Sequence, residues 1–315
     1  MSIASLSETN SIFEQPWWLD AVAPNAWGAV EIPRGGEVVA RLPYTVKEKR
    51  GLTALSMPPL TLTLGPWLAP STAKYANQLS QQKELMTSLI EQLPPCDYFS
   101  QYFHPSVTNW LPFYWRGFEQ MTRYTYVIEP LADLERVWSE FSKKLRWEIR
   151  KAQKQLAVRT DVEDIERFLD INALTFKRQG LELPYSRDVV RRLDAACIKH
   201  QARRMFFAED AQGRIHAAKY VVWHKDSAYY LMGGSDPELR KSGADSLLTW
   251  EAIRFAATVA EKFDFEGSML EAIERGFRAF GGVQTPYFHV TRFSRRMKVL
   301  MAGRDMGRAL LGPSR

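Results

Sequence analysis

The chain has 315 residues, of which 45% are hydrophobic and 25% charged, and carries a formal net charge of +6. Those proportions exclude a disordered, collagen-like or coiled-coil chain, and the length reaches the limit of a single core at about 250–300 residues, so two domains are expected. The two cysteines, Cys96 and Cys197, fit neither a disulfide framework nor a thiolate metal site; two buried small side chains in a reducing, cytoplasmic compartment are the expectation.

The first 18 residues contain Glu8 and Glu14 but no Lys, no Arg and no apolar run, so no secretory leader is predicted. Residues 30–32 and 38–44 are strand-like and flank the turn Pro33-Arg34-Gly35-Gly36, and residues 54–57 look like a third strand. Residues 51–73 are free of charge, but Pro58, Pro59, Pro66 and Pro70 interrupt them. A lipid-facing helix could not satisfy its backbone there, which leaves strand and buried loop, and no transmembrane segment. Leu79, Met86 and Ile90 give an amphipathic helix over 74–92, and a strand returns over 97–103. A domain boundary is expected at 129–132, around Pro130, dividing the chain into 1–130 and 131–315, with the C-terminal tail packing back on the first domain.

The second half repeats that order more plainly. Phe141, Leu145, Ile149, Ala152 and Leu156 recur at helical spacing, and a capping-box pattern at Thr160-Asp161-Val162-Glu163 starts a second helix that runs towards Phe176. Strands follow at 204–208, 215–223 and 228–232, joined by short turn-rich connections, then a helix over 244–262, a short strand at 263–265, another helix and a last strand at 287–291. Two copies of one α/β (α+β) module are therefore expected.

Charge is unevenly placed. Residues 1–130 hold 9 basic against 11 acidic side chains, and the remainder 33 against 25. Residues 143–159 alone carry seven basic and one acidic, and 292–308 six and one. Lys143, Arg146, Arg150 and Lys154 lie opposite the apolar face of their helix, which points to a polyanionic partner such as a nucleic acid or a phosphorylated substrate. The five histidines show no i, i+4 pairing and no nearby Cys, so no metal is expected.

Antiparallel strands, a helix, then a strand parallel to its predecessor is an order similar to the core of the Gcn5-related N-acyltransferase (GNAT) superfamily. The residues at that point are Tyr230-Leu231-Met232-Gly233-Gly234-Ser235-Asp236, followed by Leu248-Thr249-Trp250-Glu251-Ala252-Ile253. Together with Asp264-Phe265-Glu266-Gly267-Ser268, Phe277-Arg278-Ala279-Phe280-Gly281-Gly282, the helix around Arg146-Trp147-Glu148 and Lys177-Arg178-Gln179-Gly180, they resemble the FemAB-type peptidyltransferases over nearly the whole chain. The resemblance implies two tandem GNAT-like domains in a cytoplasmic acyltransferase. Known members move amino acids from aminoacyl-tRNA to peptidoglycan precursors, and relatives in the superfamily use acyl-CoA.

That resemblance also implies site roles. Phe277 and Arg278 stand where the family has a Phe-Lys pair, so Arg278 is expected to meet the oxyanion, keeping the charge but changing the geometry. Arg178 matches a position that contacts the acceptor's phosphate or carboxylate, and it would equally complement its helix C-terminus. At the splay between the strands, the Tyr230 hydroxyl and a backbone amide near Gly233 are candidate donors to the acyl carbonyl. Asp264 and Glu266 are candidates to take the proton of the attacking amine. Arg240 and Gly243 fit a coenzyme A pyrophosphate loop, but Asp245 occupies the position of its last small residue and would repel the pyrophosphate. The expected reaction is aminoacyl transfer from aminoacyl-tRNA to a cell-wall precursor, with no resident cofactor. The alternative is acyl-CoA-dependent acetylation of a small-molecule or polysaccharide-precursor amine. An RNA-binding protein without catalysis, and an assembly protein docking through its first domain, are the other classes.

Overall fold

The computed structural model describes residues 8–267 and 269–302. The basic run 292–308 therefore lies partly outside the described residues, as does Ser268 of the Asp-Phe-Glu-Gly-Ser motif. The chain forms two compact units, one holding the described residues up to Thr122 and from Tyr287 onward, the other Arg123–Pro286. Beside the boundary expected near residue 130, the chain passes between units at Thr122 and again at Pro286.

In the first unit, α1 (Pro16–Val22) opens on a proline, whose missing N–H has no helical partner to lose, and buries Trp18 and Leu19. β1 (Trp27–Arg34) and β2 (Glu37–Lys49) form a hairpin turned by Gly35 and Gly36, both at positive φ. β3 (Leu52–Ser56), β4 (Trp67–Leu68), α2 (Tyr75–Glu91), β5 (Tyr98–Tyr102) and α3 (Leu111–Trp115) follow. β3 and β5 pair in parallel across α2, whereas β2 pairs antiparallel with β1, β3 and β4. Leu42, Leu55, Leu89, Phe99 and Phe113 centre the core.

β6 (Glu119–Ile128) leads into the second unit. α4 (Leu134–Glu140), α5 (Lys143–Gln153), β7 (Leu156–Arg159), α6 (Ile165–Arg178), α7 (Arg187–Lys199), β8 (Arg203–Asp210), β9 (Ile215–His224), β10 (Ser227–Ser235), α8 (Ala244–Ala256), β11 (Lys262–Asp264) and α9 (Glu271–Arg278) complete it. β12 (Val283–Phe293) then re-enters the first unit, where His289 to Phe293 pair antiparallel with β5. The sheet of the second unit runs β6-β11-β10-β9-β8-β7. Only β10 and β11 are parallel, joined across α8 as β3 and β5 are across α2. Each unit thus carries antiparallel strands, a crossover helix and one parallel pair, the tandem α/β architecture expected.

Local details differ from the sequence expectations. α6 starts at Ile165, because the Asp164 carboxylate accepts the N–H groups of Glu166 and Arg167, while Asp161 is held by the Arg159 guanidinium at 2.8 Å. Leu156 begins β7 and is not a helix position, and α8 stops at Ala256. The sequence reading omits α7, a helix capped by Ser186 that buries Val190, Leu193 and Cys197. Among the described residues, no helix is long and apolar enough to cross a membrane.

Candidate active site

The site is built where β10 parts from β11. Their parallel pairing covers only Ser227 to Tyr229 against Lys262 to Asp264, while β10 stays paired with β9 as far as Ser235, with a register shift between Tyr230 and Met232. From Tyr230 onward a gap opens beside β10. α6 closes one side of it: Asn172 Nδ2 donates to the Gly233 carbonyl at 2.7 Å, and the Ser235 N–H donates to Thr175 Oγ1 at 3.0 Å. This approach requires glycine at 234, where a Cβ would strike the Ile171 carbonyl and lie 2.5 Å from Asn172 Cα. On the other side Gly243, with φ of +79°, caps the start of α8, and a Cβ there would sit 2.9 Å from Glu148 Cγ of α5.

Two cavities meet at this gap. The larger, about 890 Å³, lies against α5, the start of α8 and α9, and its charged lining residues are Lys144, Glu148, Lys219, Arg240, Asp245 and Arg275. The smaller, about 270 Å³, lies between α6, β10 and the segment after β11. Tyr230, Ile273 and Phe277 line both.

The charged groups here are held in unusual states. The Lys219 side chain is 2% exposed, its Nζ lies 2.9 Å from Asp245 Oδ1, and it sits 4.0 Å from the centre of the Tyr230 ring. Burial works against the ammonium, but Asp245 and Tyr230 more than offset it, so Lys219 titrates above its ordinary value and stays charged. Burial likewise raises the Tyr230 hydroxyl, although Lys219 opposes this. Glu266 leaves the strand in the left-handed region, at φ of 65°. Its Oε1 is shut from solvent without a hydrogen-bond partner, and burial, together with the charge of Asp264, pushes its pKa well above the carboxylate range. Asp264 is raised to about 6 by burial, although it accepts hydrogen bonds from the Thr125 hydroxyl and the Glu266 N–H.

The expected residues divide accordingly. Tyr230, Phe277, Gly233 and Glu266 line the smaller cavity, Arg240 the larger, and Gly243 caps α8 beside it. Asp264 lines neither cavity and supports Glu266 through its backbone N–H. Arg278 lies elsewhere: its side chain is 65% exposed, its Nε lies 3.0 Å from Glu274 Oε1, and it lines neither cavity. With about 100° between successive helical residues, turning Phe277 inward turns Arg278 outward. Arg178 is exposed in the last turn of α6 and also lines neither cavity. Lys143, Arg150 and Lys154 are exposed and Arg146 half-buried, all away from the cavity linings, to which the same helix contributes Lys144. Lys219, Asn172 and Tyr185 escaped the sequence reading. The signal for Lys219 was a lone lysine inside the apolar run of β9, where Ala217, Ala218, Tyr220 and Val221 are all buried. Among the described residues, no His, Cys, Asp and Glu group is arranged to hold a metal ion.

Residues 139–279 match the family described as an acetyltransferase (GNAT) domain. Comparison with curated proteins finds no match. Among solved structures, FemX superposes with a TM-score of 0.63 at 12% identity, covering 88% of this chain and 91% of FemX. The C-terminal domain of a protein assigned as a lysylphosphatidylglycerol synthetase, from Agrobacterium fabrum, gives 0.54 at 12% identity over 90% and 89%. A tandem GNAT protein from the clavulanic acid biosynthesis pathway gives 0.50 at 12% identity over 86% and 84%. At such identities the likeness is one of fold. Residues 139–279 thus carry a GNAT-type acetyltransferase domain, and the chain as a whole shares the fold of FemX and of the tandem GNAT protein.

Proposed function

We propose that the chain moves an aminoacyl or acyl group from a donor in the larger cavity to an amine in the smaller one. The observation that carries this reading is the shared wall: Tyr230, Ile273 and Phe277 line both cavities, so a donor carbonyl and an acceptor nitrogen meet beside Tyr230. The amine attacks the ester or thioester carbonyl, its proton passes to Glu266, and the new amide forms as the donor's oxygen or sulfur leaves with a proton. The buried Lys219 ammonium and the Tyr230 hydroxyl are the positive and polar groups nearest that point. They serve the developing oxyanion, where one donor is typically worth about 3–4 kcal/mol.

Aminoacyl-tRNA is the proposed donor, and an amine of a cell-wall precursor the proposed acceptor. Asp245, in the first turn of α8, faces the cavity where a coenzyme A pyrophosphate would lie. The exposed Lys143, Arg150 and Lys154 offer phosphate contacts to an RNA. The fold likeness to a lysylphosphatidylglycerol synthetase supports aminoacyl transfer. The second reading, acyl-CoA-dependent N-acetylation of a small-molecule or polysaccharide-precursor amine, rests on Arg240 and Gly243 at the start of α8.

Mass spectrometry of the products formed from a cell-wall precursor with aminoacyl-tRNA or with acetyl-CoA tests the reading. An aminoacyl adduct on the amine is the expected result. Transfer from acetyl-CoA alone selects the second reading, and no adduct from either donor overturns both.

A further inference from the structure

The smaller cavity is lined by the aromatic side chains of Phe176, Tyr185, Tyr230, Phe265 and Phe277 and by one carboxylate, Glu266. Among the described residues, no Lys, Arg or His side chain lines it. The rings come in pairs from separate elements: Phe176 meets Tyr185 at 6.4 Å with planes 77° apart, and Phe265 meets Phe277 at 5.2 Å. Tyr185 is itself pinned, its hydroxyl donating to Asn172 Oδ1 at 2.9 Å, and Asn172 holds the Gly233 carbonyl. The cage is therefore tied to β10 at the reaction point.

Glu266 Oε1 is buried without a hydrogen-bond donor. Leaving a buried polar atom unpaired costs about 1–3 kcal/mol, a cost that a ligand N–H would relieve once the Glu266 side chain turns that oxygen toward the cavity it lines. Aromatic faces carry negative charge density and attract cations, organic ammonium ions in particular. An anion entering the same space meets rings and a carboxyl group. The nearest cation, Lys219, lies outside the lining, 4.0 Å from the Tyr230 ring centre, and is already paired with Asp245, and burying an unpaired charge is strongly unfavourable. The volume of about 270 Å³ corresponds to about nine water volumes, room for an amine of about ten heavy atoms.

Resting on the acyl-transfer reading for the word acceptor, we infer that the acceptor's reacting end is an organic ammonium on an apolar or aromatic carrier, and that the cavity rejects amines bearing a phosphate or carboxylate beside the nitrogen. A phosphate elsewhere in a larger acceptor is compatible only if it lies outside this cavity. The observations that carry this are the five rings, the single orphaned carboxylate and the absence of a cation from the lining.

The test is calorimetric titration of the whole chain with 2-phenylethylammonium, phenylalanine and O-phosphoethanolamine. The first should bind about tenfold or more tightly than the other two, and Glu266→Gln and Phe176→Leu should each weaken it by about tenfold. Circular dichroism establishes that each variant is folded. No measurable binding of 2-phenylethylammonium, equal binding of phenylalanine or O-phosphoethanolamine, or unchanged affinity in both folded variants overturns the inference. The acyl-transfer reading fails separately. If the ammonium binds as stated and no donor yields an amide, that reading falls and the cation pocket stands. If amides form equally well on carboxylate- or phosphate-bearing amines, the pocket inference falls and the transferase stands.

Discussion

The ammonium of Lys219 lies 4.0 Å from the ring centre of Tyr230, placing a buried positive charge against a residue that lines both cavities. An unpaired lysine inside β9 would lose its proton to burial. Asp245 prevents this from the first turn of α8, 2.9 Å away, although its own side chain is 62% exposed. The pair thus runs from the interior of the sheet to the surface and keeps a fixed charge at the splay.

On the proposed mechanism the cation at the oxyanion is Lys219 and not Arg278. Lys219→Met, which keeps the stem's volume, should lower single-turnover rates by about two to three orders of magnitude, as loss of one oxyanion donor does elsewhere. Its melting temperature should move little, because the Asp245 left behind is largely solvated. Arg278→Ala should keep turnover within about threefold, since surface ion pairs such as Arg278–Glu274 contribute little. Normal rates in Lys219→Met, or a collapse in Arg278→Ala, would reverse the assignment.

Much of the second unit was legible because its periods are clean: β8 to β10 read as strands and α5 as a helix from apolar spacing alone. α7 was not, because Arg187, Asp188, Arg191, Arg192 and Lys199 surround a stripe of only Val190, Leu193 and Cys197. At the site, Tyr230, Gly233, Phe277 and Glu266 are carried by motifs that sequence displays. Lys219 is not, because its meaning comes from Asp245, 26 residues away, and from a burial that one strand's pattern does not report. Arg278 shows the opposite failure: adjacency to Phe277 in the motif says nothing about which side of the helix it takes.

The packing of α6 on β10 gives a stability prediction. Gly234→Ala would drive a methyl into the Ile171 carbonyl and to 2.5 Å from Asn172 Cα, both backbone atoms that cannot rotate away. Overpacking of this kind costs about 1–3 kcal/mol. Urea unfolding should show the loss, with weaker activity as Asn172 is pushed off the Gly233 carbonyl. Gly233→Ala meets instead the Tyr230 hydroxyl, the end of a side chain that can swing. It should therefore reduce turnover more than stability, and equal effects of the two substitutions on both readouts would contradict this account.

The raised carboxyls fix the sign of the pH dependence. Asp264, pushed up to about 6, holds in the folded state a proton that the unfolded chain has released, and Glu266 does the same over a higher range. Their contribution to stability is present below the ordinary carboxylate pKa and is lost as pH rises through the folded values. The difference in thermal midpoint between Asp264→Asn and the parent should accordingly grow in the variant's favour from about pH 4 to about pH 6. Turnover runs the other way: kcat/KM should climb with pH as Glu266 ionises, and Glu266→Gln should lose that limb together with about 10²–10⁴ of rate. A stability difference that shrinks over that interval, or an unchanged acid limb in Glu266→Gln, would be incompatible with the buried pair.

The donor is tested by salt. Lys143, Arg150 and Lys154 are exposed, and Arg146 is half-buried on the same helix, while Leu145, Ile149 and Ala152 anchor its other face in the core. Nothing in that anchoring uses the four charges, apart from the Arg150 guanidinium lying 5.5 Å from the Trp138 ring centre. Replacing all four by Ala should therefore leave the fold intact. If an aminoacyl-tRNA is the donor and these side chains meet its phosphates, each charge removed leaves one more phosphate holding its counterions in the complex. The slope of log affinity against log salt should then fall by about 0.7 to 0.9 for every phosphate no longer neutralised. Fluorescence anisotropy of labelled tRNA over a salt series reads that slope directly. An unchanged slope in the folded variant would leave the helix as a solvated surface and remove the main physical argument for an RNA donor over acyl-CoA.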